Sequence, residues 1–557
     1  MTLDPVDYAV ISAGLIAAAR EMGIKLVRSA YSTVVREAAD ASAALMDRRG
    51  NVVSQAEMIP MQLGSMRATF DACAALHPVE TLKEGDFYIT NDPYNGAQHL
   101  PDVFMFQPVF FEGRVIGFGA SVAHHLEFGG GGVGINTAAG DIYQEGLRLP
   151  PSCWNMARDW EGNGRLKRLI ATNIRVPQLT IGDFDAQFAA MGTGGGRLRE
   201  LAAKYGVERL EAAMDQLLDY SERRVRAAIA EVPDGTYHGE DWVDDDGITD
   251  TPLAVKVALT IRGDTAHVDF AGTCDQVGRN LNSPVSSTYS AAFTAIKAAL
   301  TSPDIPFNEG AKRAVTMDAP YGSLLNPKPP APVRARMEAC YRVFNAVMKA
   351  LSQAVPEKVI ACGYDTTTAF TLNHFDGDRY RVVIEVLGGG YGAGPANDGV
   401  SGVGGPLANC TNTPVETLDT DYSFFRLHEY AYRENSAGAG RHRGGLGYRR
   451  RYEILEEGSG LAIYADRFRL APQGLFGGLE GTRARCVVER HGATIDVPSK
   501  GAMKLEPGDM VTIETGGGAG YGDPAERNPA LIAEDLAEGW ITPDAARTAY
   551  GRSDAAE

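Results

Sequence analysis

The chain has 557 residues, 44% hydrophobic and 22% charged, with a formal net charge of -18; it is too long for one hydrophobic core, and at about 150 residues per domain it should fold as several. The acidic balance opposes binding to nucleic acid or to anionic membrane surfaces, which need clustered Lys and Arg. Seven scattered cysteines without a CxxC pair suggest neither a disulfide framework nor a zinc ribbon and suit a reducing cytoplasm, and no apolar run approaches the roughly 20 residues of a membrane span.

In chain order, Asp4 as cap, Pro5 in the first turn and Tyr8, Ile11, Leu15, Ala18, Met22 and Leu26 at steps of three or four predict a core helix. "SAALMDRRGNVVSQA" reads as strand, turn, strand, with Asp40 near its start. From "GDFYITNDPY" through "VFMFQPVFFEGRVIGFGASVAHH" aromatic and β-branched runs predict strands, with Glu112 and Gly113 as a hairpin turn. A long helical pattern from Gly195 breaks near Tyr205 and Gly206. Strands follow, then two helices in "SSTYSAAFTAIKAALT" and "EACYRVFNAVMKALSQAVP". The remainder is rich in glycine and β-leaning, closes with two short helices started at Asn528 and Thr542 before prolines, and is expected to fray over its last few residues. The expected fold is α+β and multidomain, with mixed, mainly antiparallel sheets and packed helices. Boundaries are placed to give an N-terminal domain, 1–232, a central α/β domain, 233–379, and a Gly-rich C-terminal domain, 380–557.

Within the β-rich N-terminal stretch, "NDPYNGAQHLPD" runs from Asn91 to Asp102. Its first half has the residues of a tight loop: Pro sets φ, Asn and Asp bond their own backbone, and Gly accepts positive φ. Its second half adds His99 and Asp102, and His124 and His125 follow on a predicted neighbouring strand. Two imidazoles and a carboxylate brought to one ion leave positions open for water, an arrangement suited to catalysis; a hydrogen-bonded turn with one buried and one exposed histidine accounts for the same spacing.

"NDPYNGAQHLPD", "HHLEFGGGGVG" and "YQEGLRLPP", continued by "NIRVPQLTIGDFDAQFAA", "NPKPPAPVRAR", "NTPVETLD", "ENSAGAGRHRGGLG" and "GGGAGYGDPAERNP", resemble the hydantoinase B family over nearly the whole chain. The family includes subunits of ATP-dependent hydantoinases, 5-oxoprolinases and caprolactamases and, more distantly, of acetone and acetophenone carboxylases. The resemblance implies a divalent metal, Mn or Zn, on Asp40, His99, Asp102 and His124. His125 becomes a candidate for contact with substrate or for support behind the metal ligands, or else a core or surface imidazole. Glu145 becomes a candidate general base or hydrogen-bond acceptor, or else an acidic turn residue. Ala97, Gln98 and Glu127 depart from the family pattern, which has Gly-Thr before the histidine and Asp in place of Glu127.

No G-x-x-x-x-G-K-[ST] is present, and Gly129, Gly131 and Gly134 match G-x-G-x-x-G without a helical sequence after them, so they read as conformational glycines. The resemblance supplies the missing nucleotide site as a second, ATP-binding subunit of hydantoinase A type, in a heterotetramer. The implied activity is hydrolysis of a small cyclic amide, hydroxide formed at the ion attacking an intermediate phosphorylated by the partner. The alternatives are a subunit of an ATP-dependent ketone carboxylase and a non-catalytic scaffold with a structural metal.

Overall fold

The structure, a computed structural model, describes residues 3–56 and 58–551; the expected fraying of the last residues lies outside them. The chain begins with helices α1 (Pro5–Ser29) and α2 (Thr33–Arg36), strands β1 (Ala41–Asp47) and β2 (Val52–Gln55), helix α3 (Pro60–Leu76), strand β3 (Asp86–Thr90) and the long hairpin of β4 (Asp102–Phe111) and β5 (Arg114–His124). Strand β6 (Ser152–Asn155) and helices α4 (Arg165–Thr172), α5 (Pro177–Tyr205) and α6 (Val207–Ile229) follow. Asp4 caps α1 by accepting from the N–H groups of Val6 and Asp7. Glu112 and Gly113 turn β4 into β5 with φ of 50° and 78°, the paired left-handed conformation of tight hairpins.

Helix α5 starts at Pro177, well before Gly195, because glycines that weaken a helical pattern are here demanded by packing. A Cβ on Gly194 would stand 2.2 Å from Sδ of Met22 on α1, so the two helices approach too closely for a side chain. Gly206, with φ of 84°, ends α5 where the pattern broke.

Strands β2-β1-β5-β4-β3-β6 form one antiparallel sheet. Alternation along β4 sends Phe104 and Phe106 to one face, where they join Phe70 of α3 and Phe118 of β5, and Val103 and Met105 to the other, with Phe184 and Phe188 of α5. Phe70 meets Phe118 edge-on at 4.8 Å between ring centres. Each such buried ring contributes about 1.5–3 kcal/mol.

The chain continues through β7 (Gly235–Val243), β8 (Leu253–Arg262), β9 (Thr265–Asp269), α7 (Val285–Leu300), α8 (Glu309–Lys312) and β10 (Val315–Asp318) to α9 (Met337–Leu351). Two compact units result: residues 1–236 with 258–336, and residues 237–257 with 337–557. The segment 233–379, expected as a central domain, is therefore divided between them. In the first unit α7 packs on α3 closely enough that a Cβ on Gly64 would meet Cα of Ser290 at 2.9 Å.

The second unit adds β11 (Ala369–Phe375), β12 (Tyr380–Val386), α10 (Val415–Asp421), β13 (Phe425–Tyr432), β14 (Tyr448–Ile454), β15 (Ser459–Tyr464), β16 (Arg485–Arg490), β17 (Ala493–Asp496), β18 (Lys500–Lys504) and β19 (Met510–Glu514), then α11 (Pro529–Ala537) and α12 (Pro543–Tyr550). Sheets β12-β11-β15-β18 and β13-β14-β19-β16-β17 contribute Phe370, Ile463, Phe425, Tyr452 and Val511 to one core, the packing of a sandwich. Asn528 and Thr542 cap the two terminal helices. The fold is α+β with mainly antiparallel sheets, and no described helix is long and apolar enough to cross a membrane.

Candidate metal centre

Register places three of the expected ligands at one end of the first unit's sheet. Asp102 opens β4 directly opposite His124, which closes β5, and the His124 N–H donates to the Asp40 carbonyl at 3.0 Å where β1 begins. His99 is set by the loop before β4. Asp92 accepts from the Tyr94 N–H at 3.1 Å, and the Asn91 side chain donates to the carbonyls of Leu100 and Leu147 at 2.6 and 2.9 Å. Gly96, with φ of 94°, lies so close to α3 that a Cβ would stand 2.6 Å from the Ala68 carbonyl carbon. The Asp102 N–H then closes back on the His99 carbonyl at 3.1 Å.

His99 Nε2, Asp102 Oδ1 and His124 Nδ1 form a triangle with edges of 3.0, 3.2 and 3.1 Å. Ligand atoms about 2.0–2.2 Å from one ion stand about 2.8–3.1 Å apart at right angles and about 3.3–3.6 Å apart at tetrahedral angles, and the triangle's edges lie within that span. Among the described residues this is the group of His, Cys, Asp and Glu side chains that converges closely enough to hold a metal. His99 Nδ1 lies 2.9 Å from the Arg334 carbonyl, which accepts only from an Nδ1–H, so Nε2 carries a lone pair. The triangle thus holds more lone pairs than protons, and a cation satisfies it.

Charge agrees with that reading. Burial, with the neighbouring Arg336 guanidinium, lowers His99 to about 3, leaving it neutral and ready to ligate. Burial alone would raise the Asp102 carboxyl, but the Arg336 guanidinium, 2.6 Å from Oδ2, holds it well below its ordinary value. Asp40, its Oδ2 3.7 Å from His124 Nδ1, accepts from Gln62 Nε2 at 2.9 Å; burial and the charge of Asp102 raise it to about 6 against the opposing pull of His124 and Arg336.

Behind the triangle runs the segment "NPKPPAPVRAR". The Glu145 carboxylate accepts from the N–H groups of Val333, at 2.9 and 3.1 Å, and Arg334, at 2.8 Å. That grip aims the Arg334 carbonyl at His99. Two residues on, Arg336 donates to Asp102 Oδ2 at 2.6 Å and to Gln98 Oε1 at 2.8 Å, and Gln98 donates to Ser65 of α3 at 2.8 Å. Of the two roles expected for Glu145, general base or hydrogen-bond acceptor, these contacts are those of an acceptor, and burial raises its carboxyl to about 8 against those backbone N–H groups. Arg336 and Gln62 were not singled out in the sequence; Arg336 stood only in a motif that marked the family resemblance.

Of the places expected for His125, beside the substrate or in the core, it takes the core. As the next residue after His124 it faces the opposite side of the sheet, stacked on Phe184 at 4.0 Å between ring centres and 3.1 Å from Gln187 Oε1. It is fully buried, and burial lowers it to about 3. Glu127 accepts from the backbone and side chain of Arg175, each at 2.6 Å, and from the Gly129 N–H at 3.0 Å, so its carboxylate is occupied in holding the glycine loop.

A family model described as hydantoinase B/oxoprolinase matches residues 4–524. A protein of Methanocaldococcus jannaschii without assigned function is 35% identical over 96% of this chain and 93% of its own. A Pseudomonas protein named provisionally as the B component of a D-/L-hydantoinase is 32% identical over 99% and 95%, and the beta chain of the caprolactamase of Pseudomonas jessenii 32% over 99% and 96%. Among solved structures, the ATP-dependent caprolactamase of Pseudomonas jessenii aligns with a TM-score of 0.91 at 31% identity over 99% of this chain and 96% of that one. A nucleotide-free acetone carboxylase aligns at 0.88 with 19% identity over 98% and 79%, a likeness of fold alone.

Proposed function

The chain belongs to the hydantoinase B/oxoprolinase family, and on that premise we propose that it is the metal-dependent subunit of an ATP-dependent cyclic amide hydrolase, opening a hydantoin, 5-oxoproline or lactam ring. The observation that carries this reading is the buried triangle of His99, Asp102 and His124 at 3.0–3.2 Å. Relatives named as hydantoinase and caprolactamase subunits over nearly the whole length support it.

A divalent ion, Mn or Zn, would supply Lewis acidity and a lowered pKa for water at its open positions. His99 Nε2, Asp102 Oδ1 and His124 Nδ1 would hold it, with Asp40 Oδ2 as the fourth ligand. The remaining contributions come from the protein. Arg334 holds the proton of His99 on Nδ1, Arg336 keeps Asp102 anionic through its second oxygen, and Gln62 turns Asp40 toward His124. An unactivated amide carbon is a poor electrophile, so ATP-dependent activation is assigned to a nucleotide-binding partner of hydantoinase A type, two copies of each subunit forming the complex.

Elemental mass spectrometry of the purified chain tests the centre: about one transition metal per chain is expected, lost in His99→Ala and His124→Ala. No metal, or metal indifferent to both substitutions, removes the mechanism. With the partner and ATP, ring opening without bicarbonate is expected; consumption of bicarbonate with a ketone would reassign the chain to carboxylation. If Asp102→Ala left turnover per intact complex unchanged, the metal would be structural only.

A further inference from the structure

The residue before His99 is buried as deeply as the ligands themselves. Gln98 is 0% exposed, and both polar atoms of its carboxamide are engaged. Nε2 donates to the Met61 carbonyl and, at 2.8 Å, to Ser65 Oγ, both in the first two turns of α3, and Oε1 accepts from Arg336 Nη2 at 2.8 Å. Two acceptors at one end and a guanidinium at the other fix which way the amide points. Gln98 is also one of the positions where the chain departs from the family pattern, and the ligand set does not use it.

Arg336 is oriented from that same nitrogen. Nη2 carries two N–H bonds; one goes to Gln98 Oε1 and the other to Asp102 Oδ2 at 2.6 Å, while the buried Nε–H has no partner. Gln98 therefore sets the angle at which the guanidinium meets Asp102. The two oxygens of Asp102 divide accordingly. His99 Nε2 and His124 Nδ1 face Oδ1, at 3.0 and 3.2 Å, and Arg336 faces Oδ2. A carboxylate whose second oxygen is unclaimed can give both to one ion, as at calcium sites. At this centre that would fill a position of the kind that catalytic metal sites keep open.

We propose that Gln98 is a positioning residue that, acting through Arg336, keeps Asp102 Oδ2 off the ion, so that Asp102 ligates through Oδ1 alone and one coordination position stays free for water or substrate. The proposal rests on the metal-dependent reading of the centre and adds to it what holds a position open.

Water-proton magnetic relaxation of the full chain loaded with Mn counts the exchangeable waters at the ion. Gln98→Met, similar in length and without a hydrogen-bonding amide, should still bind about one ion per chain. It should show about one water fewer than the parent, because Asp102 then chelates with both oxygens. In an Arg336→Met background, where Oδ2 is already free, adding Gln98→Met should remove no further water. Gln187→Met controls for a merely structural loss. Gln187 of α5 is also buried and donates to the Val103 carbonyl at 3.0 Å, on the opposite face of the sheet, so its replacement should lower the melting temperature and leave the water count unchanged. If Gln98→Met does not fold, Gln98→Thr, too short to reach Arg336, takes its place. A parent chain that binds no metal, or whose Mn carries no exchangeable water, overturns the reading of the centre and this proposal together. A loaded Gln98 variant with the parent's water count, an equal fall in Gln187→Met, or a further fall in the double variant overturns the role of Gln98 alone.

Discussion

His99 commits its two ring nitrogens in opposite senses, Nδ1 to the Arg334 carbonyl and Nε2 to the triangle, and the groups behind it decide whether the triangle is ready for an ion. Arg336 is the sharpest test. Arg336→Met would leave Asp102 buried and without its cation, a loss of about 3–5 kcal/mol; a lower melting temperature is expected for the metal-free chain, with part of the loss restored by added metal. Glu145 predicts a pH dependence. Burial raises its carboxyl from 4.5 to about 8, so the protonated form is favoured by folding. That stability is fully present below pH 4.5 and is lost as pH rises through about 8. Melting temperature of the metal-free chain should fall across that window, and Glu145→Gln, which does not ionise, should flatten this part of the profile.

The loop from Asn91 to Asp102 works as an element because it is pinned to α3. Gly96 needs positive φ and also has no room for a Cβ, whereas Gly113, with φ of 78°, has nothing within 4 Å. Gly113→Ala should cost about 1 kcal/mol of stability from backbone strain alone, and Gly96→Ala more, with weaker metal binding as His99 and Asp102 shift; denaturant melts and metal titration of both variants measure the difference. The hairpins and most helices were legible because their signals are local: a turn residue at Gly113, a cap at Asp4, a break at Gly206. The glycines of α5 were misleading because what requires them is Met22 on another helix.

At the scale of the molecule, the division of 233–379 between two units bears directly on the site. The first unit takes back residues 258–336, and with them the Arg334 carbonyl and the Arg336 guanidinium. Residues 1–232 expressed alone are therefore expected neither to melt cooperatively nor to retain metal, as circular dichroism and elemental analysis would show. A chain of residues 1–232 that folds and binds about one ion would show that the returning segment is dispensable.

The sequence alone determined the α+β class, the antiparallel hairpins and a family resemblance that named four candidate ligands, because helical and strand periodicity, turn residues and motifs are written over short distances. Tertiary structure decided which groups meet. It turned His125 into the core, since adjacent strand residues face opposite ways. It also gave Glu145, as a hydrogen-bond acceptor, its partners on a segment 188 and 189 residues away, and brought Arg334 to His99 across 235. No local pattern encodes those pairings: they follow from sheet register and from buried polar groups each having to find a partner.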